Sequence, residues 1–151
     1  MAPWDLNWAW SVPLIVLTVV IHVLGLGLIN ERIVGRVRHE EKSGHLTALF
    51  VRVMAAAALM VTVLLAFEGA VWAAAYRVLG ALPDNRSAML YSLSAITAYG
   101  HAEIFLDPHW QMMGALEAVN GIILFGLTTA FMFGMIQTVW PIGSRVHGRH
   151  D

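Results

Sequence analysis

Residues 80–110 read GALPDNRSAMLYSLSAITAYGHAEIFLDPHW, and the placement of this stretch decides the fold. It is too apolar for an ordinary polar loop and too short to cross a bilayer twice, because one helical crossing takes about 20 residues. Pro83 breaks the chain, and Asp84 or Asn85 stands where a helix cap is wanted. Met89, Leu90, Leu93 and Ile96 then recur at helical spacing, which predicts a helix from Ser87 to about Thr97. The polar and aromatic run Ala98 to Glu103 contains Gly100 and is followed by the short apolar return Ile104-Phe105-Leu106. Asp107-Pro108-His109-Trp110 marks an exit to the interface. Two arrangements fit: a re-entrant helix and loop, or an amphipathic helix lying on the membrane surface. Non-helical backbone at membrane depth is tolerated only where protein buries it or it lines a water-filled cavity.

The flanks are apolar. Val53 to about Tyr76 is bracketed by Arg52 and Arg77 and carries Glu68 as its only charge, and Met112 to Trp140 carries only Glu117. An earlier run, Val12 to Ile29, has no formally charged residue, although His22 lies inside it. Its length of about 27 Å at 1.5 Å per residue approaches the ~30 Å hydrocarbon core. Asp5 ahead of it, with no Lys or Arg, argues for a retained span rather than a cleaved signal peptide. Trp4, Trp8 and Trp10 suit an interfacial belt. The 151 residues are 58% hydrophobic and 13% charged, with a mean hydropathy of +0.67, whereas a soluble domain carries about 25% charge. A net charge of −1 supplies no basic field for nucleic acid. With no cysteine, disulfides, thiolate metal sites and cysteine nucleophiles are excluded.

Basic residues orient the chain. Arg32, Arg36, Arg38, Lys42 and Arg52 lie in or beside the first loop, and Arg145 and Arg149 in the C-terminal tail, leaving only Arg77 and Arg86 on the other side. With the N-terminus outside, seven of the nine basic residues face the cytoplasm, as the positive-inside rule expects. The expected organisation is an N-terminal tail and first transmembrane helix (1–30), a cytoplasmic basic loop (31–52), a pore-type unit (53–140) and a cytoplasmic tail (141–151).

Several separated blocks keep a common spacing: Glu68, Trp72 and Tyr76; Leu79-Gly80-Ala81-Leu82; Ala88-Met89-Leu90-Tyr91-Ser92-Leu93; and Trp110 followed by Gly114-Ala115-Leu116-Glu117-Ala118-Val119-Asn120-Gly121-Ile122. Over about residues 60–138 the chain resembles the pore domain of the potassium-channel superfamily, in the form of small bacterial ion-channel proteins with an extra N-terminal span. The resemblance implies an all-α membrane protein with three transmembrane helices, a re-entrant pore helix and a filter-like loop. It further implies a homotetramer in the bacterial plasma (inner) membrane, with monovalent cations in the pore and no other cofactor.

The family filter reads Thr-Thr-Val-Gly-Tyr-Gly-Asp, and ungapped alignment lays it on Thr97-Ala98-Tyr99-Gly100-His101-Ala102-Glu103. A competing register pairs Ala98-Tyr99-Gly100-His101 with Gly-Tyr-Gly-Asp. In such filters four loops aim backbone carbonyls at a dehydrated ion, and glycine permits the positive φ this needs. In the ungapped register Ala102 replaces a glycine, at roughly 1–2 kcal/mol for a left-handed non-glycine residue. Ala98 removes a hydroxyl ligand, and Tyr99 stands where the family packs a valine on the pore helix. His101 and Glu103 fall at the outer mouth, where His101 either packs behind the filter or joins Glu103 as a weak cation or proton site.

A carboxylate inside a span costs roughly 2.5–3.5 kcal/mol on insertion scales, so it faces protein or water. Glu68 is placed to accept hydrogen bonds from the pore helix or the filter backbone, or is a structural brace. Glu117, with Asn120 one turn on, is either a structural brace or a cation attractor near the cavity. Gly121 is the hinge candidate of the inner helix, and His22 an inter-helix hydrogen-bonding or packed residue. No metal motif or nucleophile–base pair appears, so no catalytic residue and no enzyme are expected.

The leading expectation is a cation pathway with weak or lost potassium selectivity. The alternative is a non-conducting membrane protein on the same scaffold, acting as an assembly subunit or a pH or metal sensor. Partners are membrane lipid, further copies of the chain and, in either case, a regulatory subunit of unknown kind. Topology is directly testable: Ser43→Cys and Ser144→Cys should resist an impermeant thiol reagent in intact cells and react after lysis. External labelling of Ser43→Cys would reverse the orientation.

Overall fold

The computed structural model describes residues 3–40, 46–100 and 103–147, and they are all-helical: α1 Pro3–Glu40, α2 Leu46–Val78, α3 Asn85–Ile96, a 3-10 turn at Pro108–Trp110, and α4 Gln111–His147. Three stretches, Trp4–Ile33, Thr47–Val78 and Pro108–Thr138, are long and apolar enough to cross a membrane. The first two exceed the expected runs at both ends because flanking residues continue the helix, and the third starts four residues earlier than expected. The 31–52 segment, expected as a loop, is helical up to Glu40 and again from Leu46. Trp4, Trp8 and Trp10 stand exposed on the first turns of α1.

Two apolar clusters hold the bundle. Leu26, Ile29 and Ile33 of α1 meet Leu49, Val53, Ala57 and Val61 of α2 and Met135 of α4. The spacing of four in the α2 set puts one helix face against its neighbours. At the other end Trp72, Ala73 and Tyr76 of α2 enclose Ala81, Leu82, Ala88, Leu106 and Met113. The outward faces are equally apolar, with Leu24, Leu59 and Ile122 all largely exposed. A helix hydrophobic all round suits a lipid solvent.

The turn from α2 to α3 is set by named groups. Gly80 takes φ +67°, with its N–H donating to Arg77 O and that of Ala81 to Tyr76 O. This is the Schellman geometry that glycine favours. Arg77 donates from Nη1 to Leu82 O (2.6 Å) and from Nε to Asn85 Oδ1 (2.9 Å). Asp84 caps α3 by accepting from Ser87 N (2.9 Å) and Ser87 Oγ (2.7 Å). Those bonds, the backbone one first, hold its carboxyl below the usual range. Asp107 does the same for the 3-10 turn through His109 N, which likewise lowers its pKa, while Asp107 N donates to Ala81 O at 3.2 Å.

So anchored, α3 lies between α2 and α4. Ser92 Oγ donates to Gly69 O at 2.7 Å, and a Cβ on Gly69 would sit 3.3 Å from Leu93 Cδ2. At the far end Gly121 lies directly against the carbonyl of Ile96, leaving no room for a side chain. Gly121→Ala should therefore lower the stability of the purified protein by about 1–3 kcal/mol, the usual cost of overpacking. Gly126→Ala, where an added Cβ meets nothing within 4 Å, should leave thermal unfolding unchanged. Equal effects would remove the close approach as the reason for glycine at 121.

Candidate functional site

The polar side chains inside the bundle gather into linked groups. Glu117 of α4 is fully buried, accepts from Tyr76 OH of α2 at 2.6 Å and is in hydrogen-bond contact with Ser92 Oγ of α3, whose one proton is shared between Glu117 and Gly69 O. One carboxyl group thus ties three helices together. Tyr91 of α3 meets Tyr76 edge-on, ring centroids 5.5 Å apart, and its hydroxyl fills the space a side chain at Gly114 would need.

A second group joins α1 to the rest. His22 Nδ1 lies 3.0 Å from Glu68 Oε1 and 3.2 Å from Oε2, while Nε2 lies 3.0 Å from Thr128 Oγ1. His22 and Glu68 are both completely buried. Asn120 Nδ2 donates to Thr18 Oγ1 at 2.8 Å. Asn7 donates from Nδ2 to His109 O (2.6 Å) and accepts from Met113 N (2.9 Å), satisfying a first-turn amide of α4 from another helix.

These contacts redistribute the expected roles. Glu68 bonds His22 on the first span, not α3 or the loop after it. Glu117 has both oxygens engaged within the chain, the bracing arrangement, and Asn120 faces α1. Gly121 serves the approach of α3 to an unbroken α4. His22 makes the inter-helix bonds expected of it.

The filter-like loop begins as a helix cap. Thr97 ends α3, its Oγ1 donating to Leu93 O at 2.7 Å. Ala98 N donates to Ala95 O and Tyr99 N to Ser94 O, both at 2.9 Å, and Gly100 N to Ser94 O at 3.3 Å. This is again the Schellman pattern, with Ala98 at φ +53° in the position that normally takes glycine. The left-handed non-glycine residue is thus Ala98, at a cost of roughly 1–2 kcal/mol. Tyr99 is 85% exposed rather than packed on α3 as the valine comparison implied. Gly100 has φ +78° and Glu103 is exposed. His101 and Ala102 lie outside the described residues. Beside the loop, an open groove of about 300 Å³ runs between α3 and α4, lined by Tyr91, Ser94, Ala95, Ala98, Gly114 and Ala115 among others. Among the described residues no three His, Asp or Glu side chains converge as a metal set.

Sequence reasoning did not assign Tyr76, Ser92, Thr18 or Thr128 to these groups. A signal existed for α1: Asn7, Ser11, Thr18 and His22 step by four, seven and four residues, one stripe of a helix.

Comparison of the chain with family models, with curated proteins and with solved structures finds no match. The Glu117 group therefore has to be tested on its own geometry. Glu117→Leu leaves the buried Tyr76 hydroxyl without its acceptor, at ~1–3 kcal/mol for an unsatisfied group, and removes the contact with Ser92 Oγ, so it should lower thermal stability and loosen α3. Glu117→Gln keeps an oxygen and an amide at the same positions and should lose much less. Amide exchange across residues 85–96 gives the direct reading, and indistinguishable variants would deny Glu117 its bracing role.

Proposed function

We propose that this chain is the subunit of a membrane cation pathway built on a potassium-channel-like scaffold, four copies meeting around the segment 97–103. The observation that carries the reading is the half-length helix α3 held between two full-length ones. Ile96 meets Gly121, ten residues or about 15 Å into α4, so α3 ends about halfway through a ~30 Å core. It acts as a re-entrant pore helix, entering and leaving on the side where Trp110 lies. Thr97 to Gly100 are exposed in the single chain. At such depth irregular backbone needs neighbouring protein or a water-filled cavity. Further copies packed around the open α3–α4 groove supply both. The chain resides in the plasma membrane with its N-terminus outside, and lipid covers the apolar outer faces.

Ion selectivity is weak in this reading. No glycine stands at position 98 or 102. Positive φ at Ala98 and Gly100 on either side of Tyr99 favours the register that pairs Ala98-Tyr99-Gly100 with Gly-Tyr-Gly. The cap at the end of α3 also favours the second reading, a non-conducting protein on this scaffold, because it holds Thr97 to Gly100 in a helix-end turn rather than an extended row of carbonyls.

Purified protein in planar bilayers decides between them. Current is expected, with a reversal potential that moves only slightly when potassium replaces sodium on one side. Strong potassium selectivity would overturn the filter argument, and assembled tetramers that pass no current would establish the non-conducting reading. Chains that remain monomeric in lipid would overturn both.

A further inference from the structure

The stripe on α1 divides at His22. From Asn7 to His22 its buried positions are Asn7, Ser11, Thr18 and His22, all at most 2% exposed. From Leu26 onward they are Leu26, Ile29 and Ile33. Opposite the polar half stand Glu68 and Trp72 of α2 and Asn120 and Thr128 of α4. Three atoms in this half are buried without a hydrogen-bond partner in the protein: Ser11 Oγ, Trp72 Nε1 and Asn120 Oδ1. They comprise a donor, an acceptor and a group that can be either. A buried polar group left unsatisfied costs ~1–3 kcal/mol, and internal water is the usual remedy for such groups. Helix register strings them along one side of the bundle, about 5 Å per turn. Trp72 is one turn from Glu68, Asn120 bonds Thr18, and Ser11 is two turns from Thr18.

We propose that His22 and Glu68 form a proton-binding site, reached from the Asn7 end of the bundle through a hydrated seam past Ser11, Thr18, Trp72 and Asn120, and closed on the other side by Leu26, Ile29 and Ile33. The inference is independent of whether the chain conducts ions. Facing the pair, α1 contributes His22 alone, α2 contributes Glu68, and α4 contributes the neutral Thr128. The next titratable groups, Tyr76 and Glu117, are tied to each other. No Lys or Arg occurs in residues 4–31, 53–76 or 111–140. With one proton shared between imidazole and carboxyl the pair is neutral. A second proton, drawn from the aqueous medium, gives an imidazolium beside a carboxylic acid and a net charge of +1. That charge has no buried counterion, and the carboxylic acid is a poorer acceptor for the imidazolium than the carboxylate. Acid therefore weakens the hold of α1 on α2, and base, by removing the shared proton, leaves an unpaired carboxylate.

The test uses the full chain in lipid nanodiscs with isotope-labelled histidine, the His22 resonance being the one lost in His22→Gln. That imidazole should titrate, and Glu68→Gln, which keeps a hydrogen-bonding partner, should lower its proton affinity about tenfold or more by removing the neighbouring negative charge. Ser11→Val removes a hydroxyl that bonds nothing in the protein. It should slow the response of the His22 resonance to a pH jump while leaving its midpoint unchanged. An imidazole that does not titrate, or a midpoint indifferent to Glu68→Gln, would overturn the proton site. A Ser11→Val protein that responds as fast as the parent would overturn the seam as its route.

Discussion

The carboxyl group of Glu117 is the point on which the arrangement of α2, α3 and α4 depends. Helices with apolar outer faces gain little by packing on one another in lipid, because lipid is as apolar as a neighbouring leucine. What lipid cannot do is satisfy a carboxylate or a hydroxyl. Tyr76, Ser92 and Glu117 are all buried, and each has its partner on another helix. Moving α3 outward would take Ser92 from Gly69 O and from Glu117 together, while the Tyr76–Glu117 bond still joins α2 to α4. Glycines at 69 and 121 then make the seat deep enough, since the carbonyls of Gly69 and Ile96 are part of the contact surface.

The same logic fixes the rotation of α1. An apolar cylinder against apolar neighbours can turn at small cost. Asn7, Thr18 and His22 point from one stripe toward His109, Asn120, Glu68 and Thr128, and any turn of the helix would break all of those bonds together. Below His22 the stripe is aliphatic and supplies shape rather than direction. One half of α1 therefore sets its register and the other half fills space.

Sequence reading recovered the elements better than their relations. Three spans were legible because runs such as Val53 to Tyr76 are long and nearly free of charge, and the short helix because Pro83 and Asp84 mark its start, although its buried face is Ala88, Ser92 and Ile96 rather than the Met89, Leu90, Leu93 and Ile96 stripe. Their ends were less legible. Nothing in Glu31 to Glu40 breaks a helix, so α1 continues where polarity alone suggested a loop. Partners were least legible of all. Glu68 and Glu117 were identifiable as intramembrane carboxylates, but periodicity places a residue on a face without saying which helix the face meets. Their opposite allegiances, to α1 and to α3, come from the packing of four elements at once. Ala98 is a separate case: its left-handed cap carries no glycine, so nothing in the sequence announced it.

That cap decides how the end of α3 can act. A helix C-terminus leaves four carbonyls to be satisfied by caps, water or ligands, and at α3 local donors have taken most of them. Leu93 O accepts from Thr97, Ser94 O from Tyr99 and Gly100, and Ala95 O from Ala98, while Ile96 O faces Gly121. At the end of α2 the equivalent cap is built on Gly80 and carries no steric cost. At the end of α3 the Cβ of Ala98 makes it dearer by roughly 1–2 kcal/mol, so this cap gives way first. Unwinding one turn there relieves the strain at Ala98 and frees the Ser94 and Ala95 oxygens in a single step. The cap at the end of α3 is therefore the more strained of the two, and the difference between them is a single methyl group.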